Sequence, residues 1–116
     1  MKFTVKTEGE TTVVSLDGRL DLATGANLKE EVIKICEKGA SKVHLNLQNV
    51  DFINSSGLGA LVSVMKQVRL KKGRLTLSNL APYVREIFEI TQLANVFDIH
   101  ETQQEALAST QKVVIQ

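Results

Sequence analysis

The chain has 116 residues, a length at which one compact domain can build a hydrophobic core unaided, so residues 1–116 read as a single domain. With 43% hydrophobic and 23% charged residues it is neither a disordered polyelectrolyte nor a membrane protein, and a net charge of +1 gives no overall field to attract nucleic acid or an anionic membrane. Proteins are the expected partners. The one cysteine, Cys36, lies among Val32, Ile33 and Ile35 and reads as a buried thiol, not as part of a disulfide framework. The start, Met1-Lys2-Phe3-Thr4-Val5-Lys6, alternates like a strand and not like a signal peptide, and a cytoplasmic location is expected.

In chain order, Phe3 and Val5 alternate with Lys2, Thr4 and Lys6, and Val14 and Leu16 with Ser15. Glu8-Gly9-Glu10 between them is a turn, so the two segments form an antiparallel hairpin. Leu28, Val32, Ile35 and Cys36 recur at helical spacing, and Gly39 ends that helix. Val43, Leu45 and Leu47 alternate with His44 and Asn46, predicting a strand that ends ahead of Asp51 with both polar residues on a wetter face. Leu58, Leu61, Val62, Met65 and Val68 mark a second helix, whose last turn carries Lys66, Arg69, Lys71 and Lys72 before Gly73; cations there suit the negative end of the macrodipole.

Leu75 and Leu77 then alternate with Arg74, Thr76 and Ser78, and Pro82 opens a third helix that buries Val84, Ile87 and Phe88. Val96, Phe97 and Ile99 predict a short strand, and Thr102 and Glu105 the capping box of a fourth helix. Over Ser109–Gln116, Val113-Val114-Ile115 either packs on the sheet or frays. The order implies an α/β fold: a mixed sheet with an N-terminal antiparallel hairpin, parallel right-handed crossovers and about four helices.

Folding alone accounts for most of this, but Asp51-Phe52-Ile53-Asn54-Ser55-Ser56-Gly57-Leu58-Gly59 has more polar and glycine character than a strand-to-helix turn requires. Ser55, Ser56 and Gly57 fall at a helix start, where free backbone N–H groups and the positive dipole end favour an anion or a hydroxyl acceptor. The plainer reading is that Asn54 or a serine caps the helix and that the glycines let backbone pass closely. Spacing leaves both open.

The same run, with Leu61 following, resembles the signature of STAS-domain anti-sigma-factor antagonists, and Leu16-Asp17-Gly18-Arg19-Leu20-Asp21 resembles that family's Gly-x-Leu-Asp element. The element order matches over nearly the whole chain. This resemblance implies a non-enzymatic module that binds an anti-sigma factor and so frees a sigma factor for transcription. It also implies that the serine directly before glycine, Ser56, is phosphorylated by an anti-sigma factor with serine kinase activity, and that a serine phosphatase resets it. The implied contact surface comprises Asp21, Asn54, Ser55, Ser56 and Gly57. Many members carry aspartate where this chain has Asn54. Asp21 matches the position beside the phosphorylatable serine, or else caps a helix over Ala23–Lys38. STAS domains also serve as scaffolds or regulatory subunits in stress-signalling and transporter-associated complexes.

Other chemistry finds little support. A nucleophile elbow needs Gly-x-Ser-x-Gly, and the preceding glycine is missing, which weakens a serine-hydrolase reading. His44 and His100 read as surface residues without a serine partner. Gly57-Leu58-Gly59 begins a phosphate-loop pattern that Val62 interrupts. One cysteine and two distant histidines offer no metal-site spacing, so neither a metal nor a cofactor is expected.

Overall fold

The structure, a computed structural model, describes residues 1–110. Gly9 and Glu10 form the turn between β1 (Lys2–Glu8) and β2 (Thr11–Leu20), which pair antiparallel with Val5 opposite Val14. The chain continues through α1 (Leu22–Glu37), β3 (Lys42–Ile53), α2 (Ser55–Leu70), β4 (Arg74–Ser78), α3 (Pro82–Ile90), a 3-10 turn (Leu93–Asn95), β5 (Asp98–His100) and α4 (Gln103–Thr110). The sheet order is β1-β2-β3-β4-β5, parallel from β2 onward. The expected mixed α/β sheet with four helices is the observed one.

On one face, Val14, Leu16, Leu45 and Leu77 meet Leu28 and Val32 of α1, Leu61 and Val68 of α2, and Phe88 of α3 in a single core. The 3.6-residue stripes of the three helices supply the other half of what the strand alternation offers. Phe97 closes the far end, its ring edge-on to Phe88 at 5.5 Å and 68°.

Three expectations are corrected. The third strand does not stop at Leu47: β3 runs on through Asp51, Phe52 and Ile53, because its pairing with β2 passes two irregularities, at Ser15/Asp17 and Gly18/Arg19, and resumes up to Leu20 opposite Ile53. These bulges break the period-two pattern that would have shown the strand's length. His44 is not on the surface. It is fully buried, its Nδ1 2.7 Å from Thr76 Oγ1 and its Nε2 2.7 Å from Ser78 Oγ, since α4 packs over β3, β4 and β5 and covers the face read as wetter. The Asn46 amide donates to Gln103 Oε1 of α4 at 2.8 Å, and Thr11 and Thr110 share a hydroxyl contact at 3.3 Å. Third, the short strand is Asp98–His100; Val96 and Phe97 precede it.

Helix bounds shift by single residues, to Leu22–Glu37 for the helix read from Ala23. Thr102 Oγ1 accepts from Glu105 N–H at 3.1 Å, one of the two bonds of the expected capping box. Ser109 and Thr110 complete α4; Val113-Val114-Ile115 lies outside the described residues.

Candidate functional site

The register that ends β2 and β3 side by side also starts the two following helices side by side. Leu20 pairs with Ile53, and the next residue in each strand, Asp21 and Asn54, is a helix N-cap in extended conformation. Asn54 N–H donates to the Leu20 carbonyl at 3.3 Å, so the two caps are tied through backbone.

Each cap satisfies a donor that helix geometry leaves open. Asn54 Oδ1 accepts from Gly57 N–H at 2.9 Å. Asp21 Oδ1 accepts from Thr24 N–H at 3.1 Å, and Asp21 N–H donates to Thr24 Oγ1 at 2.9 Å, completing a capping box. The Thr24 hydroxyl has one proton and two acceptors in reach, the Arg19 carbonyl at 2.7 Å and Asp21 Oδ1 at 3.0 Å. The Thr24 backbone N–H, then its hydroxyl, holds the Asp21 carboxyl below its ordinary range, so Asp21 is anionic. The capping reading thus holds for both Asp21 and Asn54, beside whatever else they do.

Close packing brings the two helix starts together. Gly25, one turn beyond Asp21, faces Ala60, one turn beyond Ser56: a Cβ on Gly25 would lie 2.5 Å from that of Ala60. Gly57 is buried, and a Cβ there would collide with the Leu20 carbonyl and crowd Ile53. Its φ is not positive, so the requirement is close approach of the chain's own backbone. The close backbone passage suggested by the sequence is therefore met at Gly57, whereas a Cβ on Gly59 would enter open space.

Ser55 and Ser56 occupy the first two positions of α2 and are exposed. Among the described residues neither hydroxyl has a side-chain partner. No acidic residue stands in the first turn of α1 or α2, so Asp21 is the one carboxylate at these helix starts, and the dipole of α2 faces Ser56 with a neutral cap. The structure therefore brings together all five sequence-predicted residues, with four at the surface and Gly57 beneath them.

Two neighbours escaped the sequence reading. Leu22, the first residue of α1, is 73% exposed; its position off the Leu28–Val32–Ile35 stripe was the available signal. The Arg19 guanidinium stacks over Phe52 at 3.9 Å from the ring centroid, a pairing set by the strand register and invisible in sequence. The expectation that His100 lacks a serine is also corrected: Asp98 Oδ1 and Ser109 Oγ both meet its Nε2, at 2.8 and 3.3 Å. A relay needs one partner on each ring nitrogen, so this group is a tether for α4 and not a catalytic triad.

The family model for the STAS domain matches residues 2–106. The chain is 33% identical over 109 residues to BtrV of Bordetella bronchiseptica, covering 94% of each chain. It is 33% identical over 86 residues to the anti-sigma-B factor antagonist of Bacillus subtilis, covering 74% of this chain and 78% of that one. The structure of the Bacillus cell fate determinant SpoIIAA in its phosphorylated form superposes with a TM-score of 0.71 at 25% identity, over 95% of this chain and all of that one. With the paired helix starts and the five-strand mixed sheet, these likenesses mean that the chain belongs to the STAS domain family.

Proposed function

We propose that this chain is an anti-sigma factor antagonist: the surface around Asp21, Leu22, Asn54, Ser55 and Ser56 binds an anti-sigma factor, releasing a sigma factor, and phosphorylation of Ser56 breaks that contact. Gly57 serves from beneath by holding the start of α2 against Leu20. The observation that carries this reading is the placement of Ser56, an exposed hydroxyl at the second position of α2, among polar groups with one exposed leucine beside them. An interface there can close over a neutral hydroxyl.

A phosphate adds about −1.5 to −2 charge and three acceptor oxygens. The α2 dipole and N–H groups stabilise it within this chain, so the fold survives. A partner, however, has to desolvate a dianion standing near the anionic Asp21, and affinity falls. The chain is then the substrate of the switch and not its catalyst. The kinase is the anti-sigma factor itself, a serine phosphatase reverses the step, and the circuit operates in the cytoplasm. The name of the Bacillus subtilis relative and the phosphorylated form of SpoIIAA support this reading.

Titration calorimetry against an anti-sigma factor kinase tests it. Phosphorylated protein and Ser56→Asp keep native circular dichroism and lose binding; Ser56→Ala binds but cannot be switched off; Ser55→Ala is still phosphorylated. Phosphate found on Ser55, or equal affinity of the two forms, overturns the mechanism.

A further inference from the structure

The net charge of +1 averages over charges that the fold distributes unevenly. At the end that carries Ser56, where β2 and β3 finish, Asp17, Asp21 and Asp51 are interspersed with Lys2, which pairs with Asp17, and Arg19, which lies over Phe52. At the opposite end of α2 stand Lys66, Arg69, Lys71 and Lys72, all exposed. The carboxyl end of α1 joins them there, since α1 and α2 start side by side, have equal length and pack along each other. Arg74 is committed to Asp98, and Arg69 reaches the Val96 carbonyl at 3.5 Å while Val96 itself is 42% exposed. Glu37, exposed in the last turn of α1, is the acid at the neighbouring helix end.

Cations at a helix carboxyl end complement the dipole and by themselves imply no ligand. Leu70 is different. It is 75% exposed, the most exposed large hydrophobic residue described. Its place two residues after the buried Val68 turns it about 200° from the core stripe. A leucine projecting from the midst of three lysines and an arginine leaves three quarters of its surface in water.

We infer that this end of α2 is a docking tip for an anionic lipid surface, with Leu70 entering the headgroup boundary while Lys66, Arg69, Lys71 and Lys72 meet lipid phosphates. A bilayer accepts a single aliphatic side chain from a convex helix end without a matching pocket, and lysines on flexible stems suit its diffuse negative charge. Nucleic acid would reward the cations but not Leu70, and α2 carries no aromatic side chain on which a base could stack. The geometry is compatible with the switch. The 16 residues of α2 rise about 24 Å at roughly 1.5 Å each, so a chain resting on its basic end presents Ser56 to solution.

Co-sedimentation of the full chain with phosphatidylcholine vesicles, with and without phosphatidylglycerol, at low salt tests this. Binding is expected only to the anionic vesicles. The Lys71→Glu/Lys72→Glu double variant should lower it at least about tenfold, and Leu70→Ser several-fold, both variants retaining native circular dichroism because the positions are exposed. Equal sedimentation with both vesicle types overturns the inference. So does Leu70→Ser binding like the parent, or a DNA duplex that displaces the protein from vesicles, since either reduces the tip to a general polyanion site.

Discussion

Gly57 of α2 lies directly against the carbonyl of Leu20, the last residue of β2, leaving no room for a Cβ. Because backbone and not a flexible side chain stands in the way, the helix start itself would have to move. Gly57→Ala should therefore destabilise the protein by about 1–3 kcal/mol, the usual cost of overpacking, and weaken anti-sigma binding by displacing Ser56. Urea unfolding measures the first. A midpoint unchanged within error would show that the strand end and helix start are not held as described.

The neutral cap at Asn54 can be separated from its alternatives. Asn54→Ala removes the acceptor for Gly57 N–H and should cost about 1 kcal/mol. Asn54→Asp keeps the acceptor and adds about 0.3–1 kcal/mol of dipole stabilisation, but places a carboxylate two residues from Ser56. Phosphorylation of Ser56 should then change thermal stability less favourably in Asn54→Asp than in the parent. Equal changes in the two backgrounds would remove Asn54 from the electrostatics of the switch.

Gly25 and Ala60 set how closely the two helix starts approach. Gly25→Ala adds a methyl where there is no space, while Ala60→Gly costs up to about 1 kcal/mol of helix propensity. If the contact is direct, the double variant should recover part of the loss, with a coupling of about 0.5–3 kcal/mol in a denaturation cycle. Additive losses would mean that the helices adjust independently.

Much of this arrangement was legible in the sequence because it rests on short-range pattern. Gly9, Gly39 and Pro82 punctuate the chain, Leu61 and Val68 share a helical face, and the Asn54-to-Gly59 run stands out against them. The close approach of Gly57 to Leu20 was not legible, because it depends on β2 and β3 ending in register across two bulges. His44 was misread for a related reason. Alternation along β3 places it on the face opposite Leu45, but only the long-range packing of α4 decides that this face is dry.

His44 therefore supplies the remaining prediction, a pH dependence of stability. Its ring is fully buried and bonded at both nitrogens to the hydroxyls of Thr76 and Ser78. Neutral imidazole has one donor and one acceptor nitrogen, which rotating hydroxyls can match in either tautomer. Burial, with a smaller contribution from the charge of His100, lowers its pKa from 6.5 to about 4. The unfolded chain consequently takes up this proton before the folded one. Stability from His44 is complete above pH 6.5, declines as pH falls towards about 4, and levels off below. At about 1.4 kcal/mol per pH unit the decline is on the order of 3 kcal/mol. Carboxylates contribute their own losses in acid, so the decisive range is from about pH 7 to about pH 5, where histidine titrates and most of them do not. His44→Gln, which cannot be protonated there, should start less stable, because it repacks the Thr76 and Ser78 contacts, and yet hold its stability nearly constant across that range while the parent loses it. Parallel pH profiles of the two proteins in urea titrations would show that His44 is charged in the folded state, or that the decline has another source.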